Sequence, residues 1–90
     1  MFEYDPAKSA ANLAKHGIGF ETAQGLWLEE HFVEGPARWP GEERWMRVAS
    51  LDGKLWSAIF TVRDGRIRLI SVRRSRPKEE LQYGRQNKHG

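Results

Sequence analysis

The segment RWMRVASLDGKLWSAIFTVRDGRIRLISVRR, residues 44–74, decides the fold because its apolar residues tend to recur at every second position. Two Asp-Gly pairs, at residues 52–53 and 64–65, interrupt this alternation. An Asp-Gly pair between two strand-like runs is the strongest short-range signal for a β-hairpin. The segment therefore predicts a three-stranded antiparallel meander.

Two-residue turns at both Asp-Gly pairs also set the expected register. They place Arg63 opposite Arg66 and Leu51 opposite Lys54, and the other pairings follow by counting. The sheet that results is apolar in the middle of both faces. A single layer of helices cannot cover it, so we expect the C-terminal helix or a partner protein to cover the second face.

Arginines occupy both faces of the expected meander. In the ideal register Arg44, Thr61 and Arg68 form one row across the second face, whereas Arg73 lies on the first face. Arg68 stands inside an apolar strand, where an unpaired cation costs free energy. The row therefore predicts an anion between its two arginines.

A first helix is predicted over about residues 6–16, in the stretch DPAKSAANLAKHG. Asp5 is a favourable N-cap, Pro6 suits the first helical position, and Gly17 can adopt the left-handed conformation that ends a helix.

Two further helices and one loop complete the chain. A second helix is expected over about residues 20–28, although Gly25 disfavours it. Residues 35–43, GPARWPGEE, contain two prolines and two glycines and indicate an irregular loop. A last helix is expected in PKEELQYGRQ, with Ser75 as its cap.

These elements predict an α+β fold, an antiparallel meander with two N-terminal helices and a C-terminal helix. Ninety residues with 39% hydrophobic content suit one domain spanning residues 1–90, with residues 86–90 as a frayed tail. The sequence has no cysteine, no apolar signal segment and no run approaching the roughly 20 apolar residues of a membrane span. We therefore expect a cytoplasmic protein with no membrane association.

Charge is distributed unevenly along the chain. Residues 1–62 carry six cations and nine anions, a balance of −3, and residues 63–90 carry nine cations and three anions, a balance of +6. This asymmetry favours an anionic partner for the C-terminal third, most often a phosphate backbone. A solvated basic surface is the alternative interpretation.

The chemistry available is that of cations. The chain has neither H-E-x-x-H nor a P-loop, and its three histidines are scattered, so no metal or other cofactor is expected. Arginine, lysine, histidine and tyrosine can together cleave RNA without a metal, because arginine stabilises a phosphorane and histidine transfers protons. Several side chains also have ordinary structural explanations: His16 as a partner of the helix dipole, Lys8 and Lys15 as surface lysines, and Tyr83 as a core anchor of the last helix.

Four sequence blocks together resemble the BrnT family of toxins from bacterial type II toxin–antitoxin systems. They are D-P-x-K from Asp5, N-x-x-K-H-G from Asn12, G-E-x-R from Gly41 and R-x-I-S-x-R from Arg68, and the resemblance extends over about residues 2–83. It implies a RelE-like microbial ribonuclease fold and a ribonuclease that arrests growth. It also implies a BrnA-like antitoxin with a ribbon-helix-helix domain, in a heterotetramer that binds operator DNA only through the antitoxin.

On this resemblance and the cation set, we expect RNA to be the substrate. The predicted catalytic residues, of which Arg68 and Arg73 stabilise the phosphorane and His16 or Lys15 assists proton transfer, are Arg68, Arg73, His16, Lys15 and Arg44. The predicted RNA-binding residues are Lys8, Arg74 and Arg76. The alternative class is a non-catalytic protein- or nucleic-acid-binding subunit of a repressor complex. Gly19 departs from the family pattern, which usually has a hydroxyl N-cap there.

Overall fold

The structure, a computed structural model, describes residues 1–38 and 40–86 of the chain. Within these residues five strands form one sheet in the order β1-β5-β4-β3-β2, in which β1 is parallel to β5 and the other neighbours are antiparallel. The strands are β1 (Phe2–Glu3), β2 (Phe32–Ala37), β3 (Arg44–Leu51), β4 (Lys54–Arg63) and β5 (Arg66–Arg74). The helices are α1 (Pro6–His16), α2 (Phe20–Ala23) and α3 (Pro77–Gln86), with a 3₁₀ helix at Gln24–Trp27. The predicted α+β class is confirmed.

Both predicted hairpins are confirmed. Asp52 and Asp64 have positive φ values of 53° and 49°. The glycine after each also has a positive φ, at 75° and 74°. Positive φ at both central residues defines the type I′ turn, whose twist matches that of the flanking strands. The expected pairs at the two turns, Arg63 with Arg66 and Leu51 with Lys54, are present.

The ideal register fails in β5, where a β-bulge adds one residue. Phe60 lies opposite Leu69, but Ile59 lies opposite Ser71, so Ile70 has no partner of its own on β4. A bulge of this kind turns every later side chain to the other face. The prediction that Arg68 and Arg73 lie on opposite faces is therefore wrong, and Arg73 shares the second face with Arg68.

Helices cover both faces of the sheet, as expected from its apolar middle. The first face packs against α1, α2 and the 3₁₀ helix, and α3 lies on the second face across β2 and β3. The first-face core contains the buried residues Ile18, Phe20, Ala23, Leu26, Ala49, Ala58, Phe60, Leu69 and Val72. Because α3 packs mainly on β2 and β3 and reaches β4 and β5 through Glu79 near the start of the helix, the rest of the second face of β4 and β5 is left partly accessible.

Two strands of the sheet were not predicted. The predicted loop over residues 35–43 overlaps β2, which continues through Gly35 and Pro36 to Ala37. Pro36 is tolerated because β2 is an edge strand, where an N–H is not needed on the open side. The other strand, β1, has two residues and is too short to show an alternating pattern.

The predicted first helix is confirmed, with both of its caps. Asp5 Oδ1 accepts a hydrogen bond from the Ala7 N–H at 2.9 Å, and the Gly17 N–H donates to the Leu13 C=O at 2.9 Å. Gly17 has φ 80°, a left-handed conformation that a residue with a Cβ adopts only at a cost.

The second helix is shorter than predicted. It ends at Ala23 and continues as the 3₁₀ helix to Trp27. Gly19 offers no side-chain cap, and Ser9 of α1 replaces it, because Ser9 Oγ accepts from the Phe20 N–H at 2.8 Å. A hydroxyl from the preceding helix thus satisfies the first backbone donor of α2.

The last helix is confirmed but its predicted cap is wrong. Helix α3 begins at Pro77, which places Arg76 at the cap position, and the Arg76 N–H donates to Glu79 Oε1 at 2.9 Å as in a capping box. Ser75 instead bonds through its hydroxyl to Ser57 Oγ at 2.8 Å. The expected frayed tail lies outside the described residues except for Gln86, which belongs to α3.

Candidate functional site

Two arginine–glutamate pairs flank Thr61 on the second face. Arg68 of β5 lies opposite Thr61 of β4, and Arg68 Nη1 is 3.7 Å from Glu3 Oε1 of β1. On the other side Arg44 Nη2 donates to Glu42 Oε2 at 3.2 Å. The predicted row of arginines therefore exists, and a carboxylate accompanies each of them.

Thr61 connects this row to the start of β3. Its hydroxyl donates to the Glu43 C=O at 2.7 Å, which fixes the residue immediately before Arg44 against β4. A cavity of about 700 Å³ opens beside Arg44, and residues that line it include Arg38, Glu42 and Trp45. Arg44 thus has open space for a ligand on one side and a held backbone on the other.

Arg73 is engaged in a tight network at the start of α3. Its Nη1 and Nη2 donate to the two carboxylate oxygens of Glu79, both at 2.8 Å, and Nη1 also donates to the Arg74 C=O at 3.2 Å. Ser57 Oγ donates to the same carboxylate at 2.8 Å. Since Ser57 uses its only proton on Glu79, Ser75 is the donor in the bond between the two serines.

This network shifts the titration of both partners. The hydrogen bonds from Arg73 are the largest influence, and with those from the Arg76 N–H and Ser57 they lower the pKa of Glu79 to about 2. The hydrogen bonds that Arg73 donates to Glu79 raise the pKa of the Arg73 guanidinium. Both groups remain charged at neutral pH, so the pair ties α3 to β5.

Arg68 and Arg73 therefore share a face but differ in availability. The residues opposite them, Thr61 and Ser57, are four positions apart on β4, which corresponds to about 13 Å along the strand. The Arg68 pair with Glu3 is too long for a hydrogen bond, and 34% of the Arg68 side chain is exposed. Arg73 is held in two short charged bonds, so a ligand reaches Arg68 at a smaller cost.

The other predicted site residues lie elsewhere. Lys8, Lys15 and His16 belong to α1, which packs on the first face, and the two lysines are exposed. Arg74 also faces this side, with its guanidinium 5.5 Å from the centroid of the Trp56 ring. Arg76 is exposed at the cap of α3. The structure thus brings together Arg44, Arg68 and, further along β5, Arg73, and it does not bring α1 to them.

Sequence reasoning missed two carboxylates of the site, Glu3 and Glu79. Glu3 reaches Arg68 only because the two-residue strand β1 adds to the sheet, and Glu79 reaches Arg73 only because the bulge reorients that arginine.

Sequence reasoning also missed the role of Arg47, which is buried on the first face. Arg47 Nε donates to Glu34 at 2.9 Å and its guanidinium lies 3.8 Å from the centroid of the Phe32 ring. A buried arginine paired with a carboxylate and an aromatic ring in this way has a structural role.

Other kinds of site find little support in the described part of the chain. Within residues 1–38 and 40–86, no group of three or more His, Cys, Asp or Glu side chains could hold a metal ion. None of the helices in this part is long and apolar enough to cross a membrane.

Comparison with known proteins gives one family. Residues 4–79 match the family model described as the ribonuclease toxin BrnT of type II toxin–antitoxin systems. A search of curated proteins found no match. The family match covers α1, α2, all strands from β2 to β5 and the first residues of α3.

Proposed function

Because the chain belongs to the BrnT family of ribonuclease toxins of type II toxin–antitoxin systems, we propose that it is a metal-independent endoribonuclease that arrests growth. Membership of this family implies an RNA target and a cognate antitoxin, and confirms the resemblance seen in the sequence. The proposal adds that cleavage takes place in the cytoplasm, on the second face of the sheet, and uses side chains alone.

The observation that carries this proposal is the row of two arginine–glutamate pairs around Thr61. Cleavage of RNA next to a 2′-hydroxyl requires a base for that hydroxyl, charge stabilisation for the phosphorane and a proton for the leaving 5′-oxygen. Arg68 and Arg44 supply positive charge on both sides of a phosphate bound over Thr61. Arginine suits this task because its planar fork can bind two phosphate oxygens at once.

The carboxylates of the row balance the charge of the arginines and also supply the general base. While no RNA is bound, Glu3 and Glu42 neutralise the two arginines. When a phosphate takes their place, either carboxylate is released next to the reacting centre, where it accepts the proton of the 2′-hydroxyl and, as the carboxylic acid so formed, returns that proton to the leaving 5′-oxygen. His16 and Lys15 lie on the other side of the sheet. In this proposal they contact RNA that passes the end of β5, away from the row.

The test is cleavage of a defined RNA by the purified protein in excess EDTA. Wild type should cut the RNA, and Arg68→Ala should lose about 100- to 1,000-fold in rate, equivalent to about 3–4 kcal/mol for one transition-state donor. Arg44→Ala should lose activity in the same assay. Far-UV circular dichroism and thermal unfolding should show that both variants remain folded.

The matched control is Arg85→Ala, which removes an exposed cation of α3 that is not part of the row. It should cut RNA at close to the wild-type rate, because it changes net charge equally but contacts no reacting group. A fully active Arg68→Ala protein would reject the row as the site. Binding of RNA by wild type with no cleavage would favour the non-catalytic alternative.

The proposed partner of this toxin is a BrnA-like antitoxin with a ribbon-helix-helix domain. Such domains dimerise and bind DNA through a β-ribbon, so two toxins and two antitoxins would form a heterotetramer that contacts operator DNA through the antitoxin. The basic C-terminal third, with nine cations and three anions over residues 63–90, calls for an acidic antitoxin surface.

A further inference from the structure

A second cavity lies at the far end of the sheet from Thr61. It has a volume of about 190 Å³ and is formed where the turn between α1 and α2 meets the turn between β3 and β4. The residues that line it are Gly17, Ile18, Thr22, Leu51, Asp52, Lys54 and Trp56. Its walls therefore combine aromatic and aliphatic surface with one cation and one carboxylate.

One exposed cation lines this cavity, and a second lies beside its tryptophan. Lys54 lines it, and Arg74 holds its guanidinium 5.5 Å from the centroid of the Trp56 ring. Trp56 itself is half-buried, so part of its indole is accessible while the rest packs against the first-face core. An accessible indole next to two cations is the combination with which proteins bind unpaired nucleotides, by stacking and by charge.

We propose that this cavity binds one unpaired base of the RNA, stacked on Trp56, while Arg74 and Lys54 hold the adjacent phosphate. The inference rests on the proposed ribonuclease function and adds a subsite that recognises RNA outside the cleavage point. The base enters the cavity and the phosphate stays outside because Asp52 and the C-terminal end of α1 both disfavour an anion inside it.

The bulge in β5 places Arg73 on the face of the cleavage row and Arg74 on the face of this subsite. Arg73 and Arg74 are consecutive, and their positions opposite Ser57 and Trp56 direct them to the second and first faces. From the row at Thr61 to Trp56 is five residues of β4, about 17 Å. An RNA strand can therefore lie along β5 from Arg68 and turn around its end, with successive phosphates near Arg73 and Arg74.

The experiment measures binding rather than cleavage, so that it stands apart from the proposed activity. The probe is a single-stranded deoxyhexanucleotide of mixed sequence, which lacks the 2′-hydroxyl and is not cut by the proposed chemistry. Affinity is measured by titration, and the indole N–H resonance of Trp56 is followed by NMR. We expect this resonance to shift on binding and that of Trp27, which packs against the rings of Phe2 and Phe60, to shift less.

Four variants separate stacking from charge and from folding. Trp56→Leu keeps apolar volume but removes the ring, and should weaken binding about 5- to 100-fold, the range expected for one stacked base. Trp56→Phe keeps a ring and should retain most of the affinity. Arg74→Gln should weaken binding and reduce its salt dependence, whereas Arg85→Gln should do so much less.

The outcomes distinguish the two proposals. If wild type binds the oligonucleotide with a shifted Trp56 resonance but cuts no RNA, the subsite stands and the ribonuclease proposal fails. Equal affinity of folded Trp56→Leu and wild type would overturn the subsite, even if RNA is cleaved. A Trp56 resonance that responds only to the antitoxin would overturn it as well and assign the cavity to a protein partner.

Discussion

Asn12 bonds both backbone groups of Val72 and so takes the place of a neighbouring strand. Its Oδ1 accepts from the Val72 N–H at 3.1 Å, and its Nδ2 donates to the C=O groups of Val72 at 2.8 Å and Ile18 at 2.7 Å. Strand β1 pairs with β5 only at Ile67 and Arg68, so Val72 has no strand partner on that side. The amide thus closes an otherwise open sheet edge from inside α1, which removes a template for unwanted pairing.

Replacing Asn12 with Ala should destabilise the protein strongly. The change leaves three backbone groups without their partner, and each buried unsatisfied group costs about 1–3 kcal/mol, with water recovering part of the loss. We expect a loss of about 2–4 kcal/mol in the free energy of unfolding, measured by urea titration.

Asn12→Asp is the sharper variant because it keeps the size of the side chain. A carboxylate can still accept from the Val72 N–H, but it cannot donate to the two carbonyl groups. It should therefore also destabilise, whereas the exposed Lys15→Ala on the same helix should change stability by less than about 0.5 kcal/mol. Stability of Asn12→Asp equal to wild type would contradict the proposed role of the amide.

Arg73 and Glu79 should be strongly coupled in stability. Only 12% of the Glu79 side chain is exposed, so Arg73→Ala leaves a poorly hydrated carboxylate without two of its donors. A double-mutant cycle with Arg73→Ala and Glu79→Ala should give a coupling energy of about 1–3 kcal/mol. The same cycle for Arg68 and Glu3 should give less than about 1 kcal/mol, because that pair is longer and more exposed. Equal coupling energies would contradict the difference in availability between the two arginines.

Acid should weaken the attachment of α3 to the sheet. The Arg73 hydrogen bonds lower the pKa of Glu79 to about 2, below its usual value of 4.5. A lowered folded-state pKa gives stability that is complete above the ordinary pKa and is lost as pH falls through the folded one. Unfolding free energy should thus decline between about pH 5 and pH 2, and Glu79→Gln should reduce the slope. A wild-type slope unchanged by Glu79→Gln would contradict this assignment.

Local sequence signals predicted the parts of the fold that local interactions decide. Asp-Gly turns determine their own backbone conformation, and Asp5 and Gly17 cap α1 with groups close in sequence, so both were predicted correctly. The bulge at Ile70 has no such signal. It depends on the requirement that Val72, which is fully buried, face the first-face core, a tertiary preference that counting from a turn does not include.

The same distinction explains the candidate site. Arg68 was identified from the sequence because an arginine inside an apolar strand is conspicuous, and its opposite residue Thr61 was predicted correctly. Its carboxylate partner was not, since Glu3 is 65 positions away and lies in a strand of two residues. Long-range pairs that involve short elements leave no periodic pattern in the chain.

The expected antitoxin should bind through charge at the end of β5. Residues 66–76 contribute Arg66, Arg68, Arg73, Arg74 and Arg76, and an acidic partner surface would meet them with strong electrostatic steering. Co-expression with the protein encoded beside this chain should restore growth and yield a complex whose mass fits two copies of each protein. Arg74→Glu should slow association with that protein and weaken its salt dependence, because Arg74 is exposed and bonds to Arg73 only through its backbone C=O, which the substitution keeps. Arg85→Glu, with the same change in charge on α3, should associate nearly as fast as wild type. Equal effects of the two charge reversals in surface plasmon resonance would mean that total charge, not the end of β5, attracts the antitoxin.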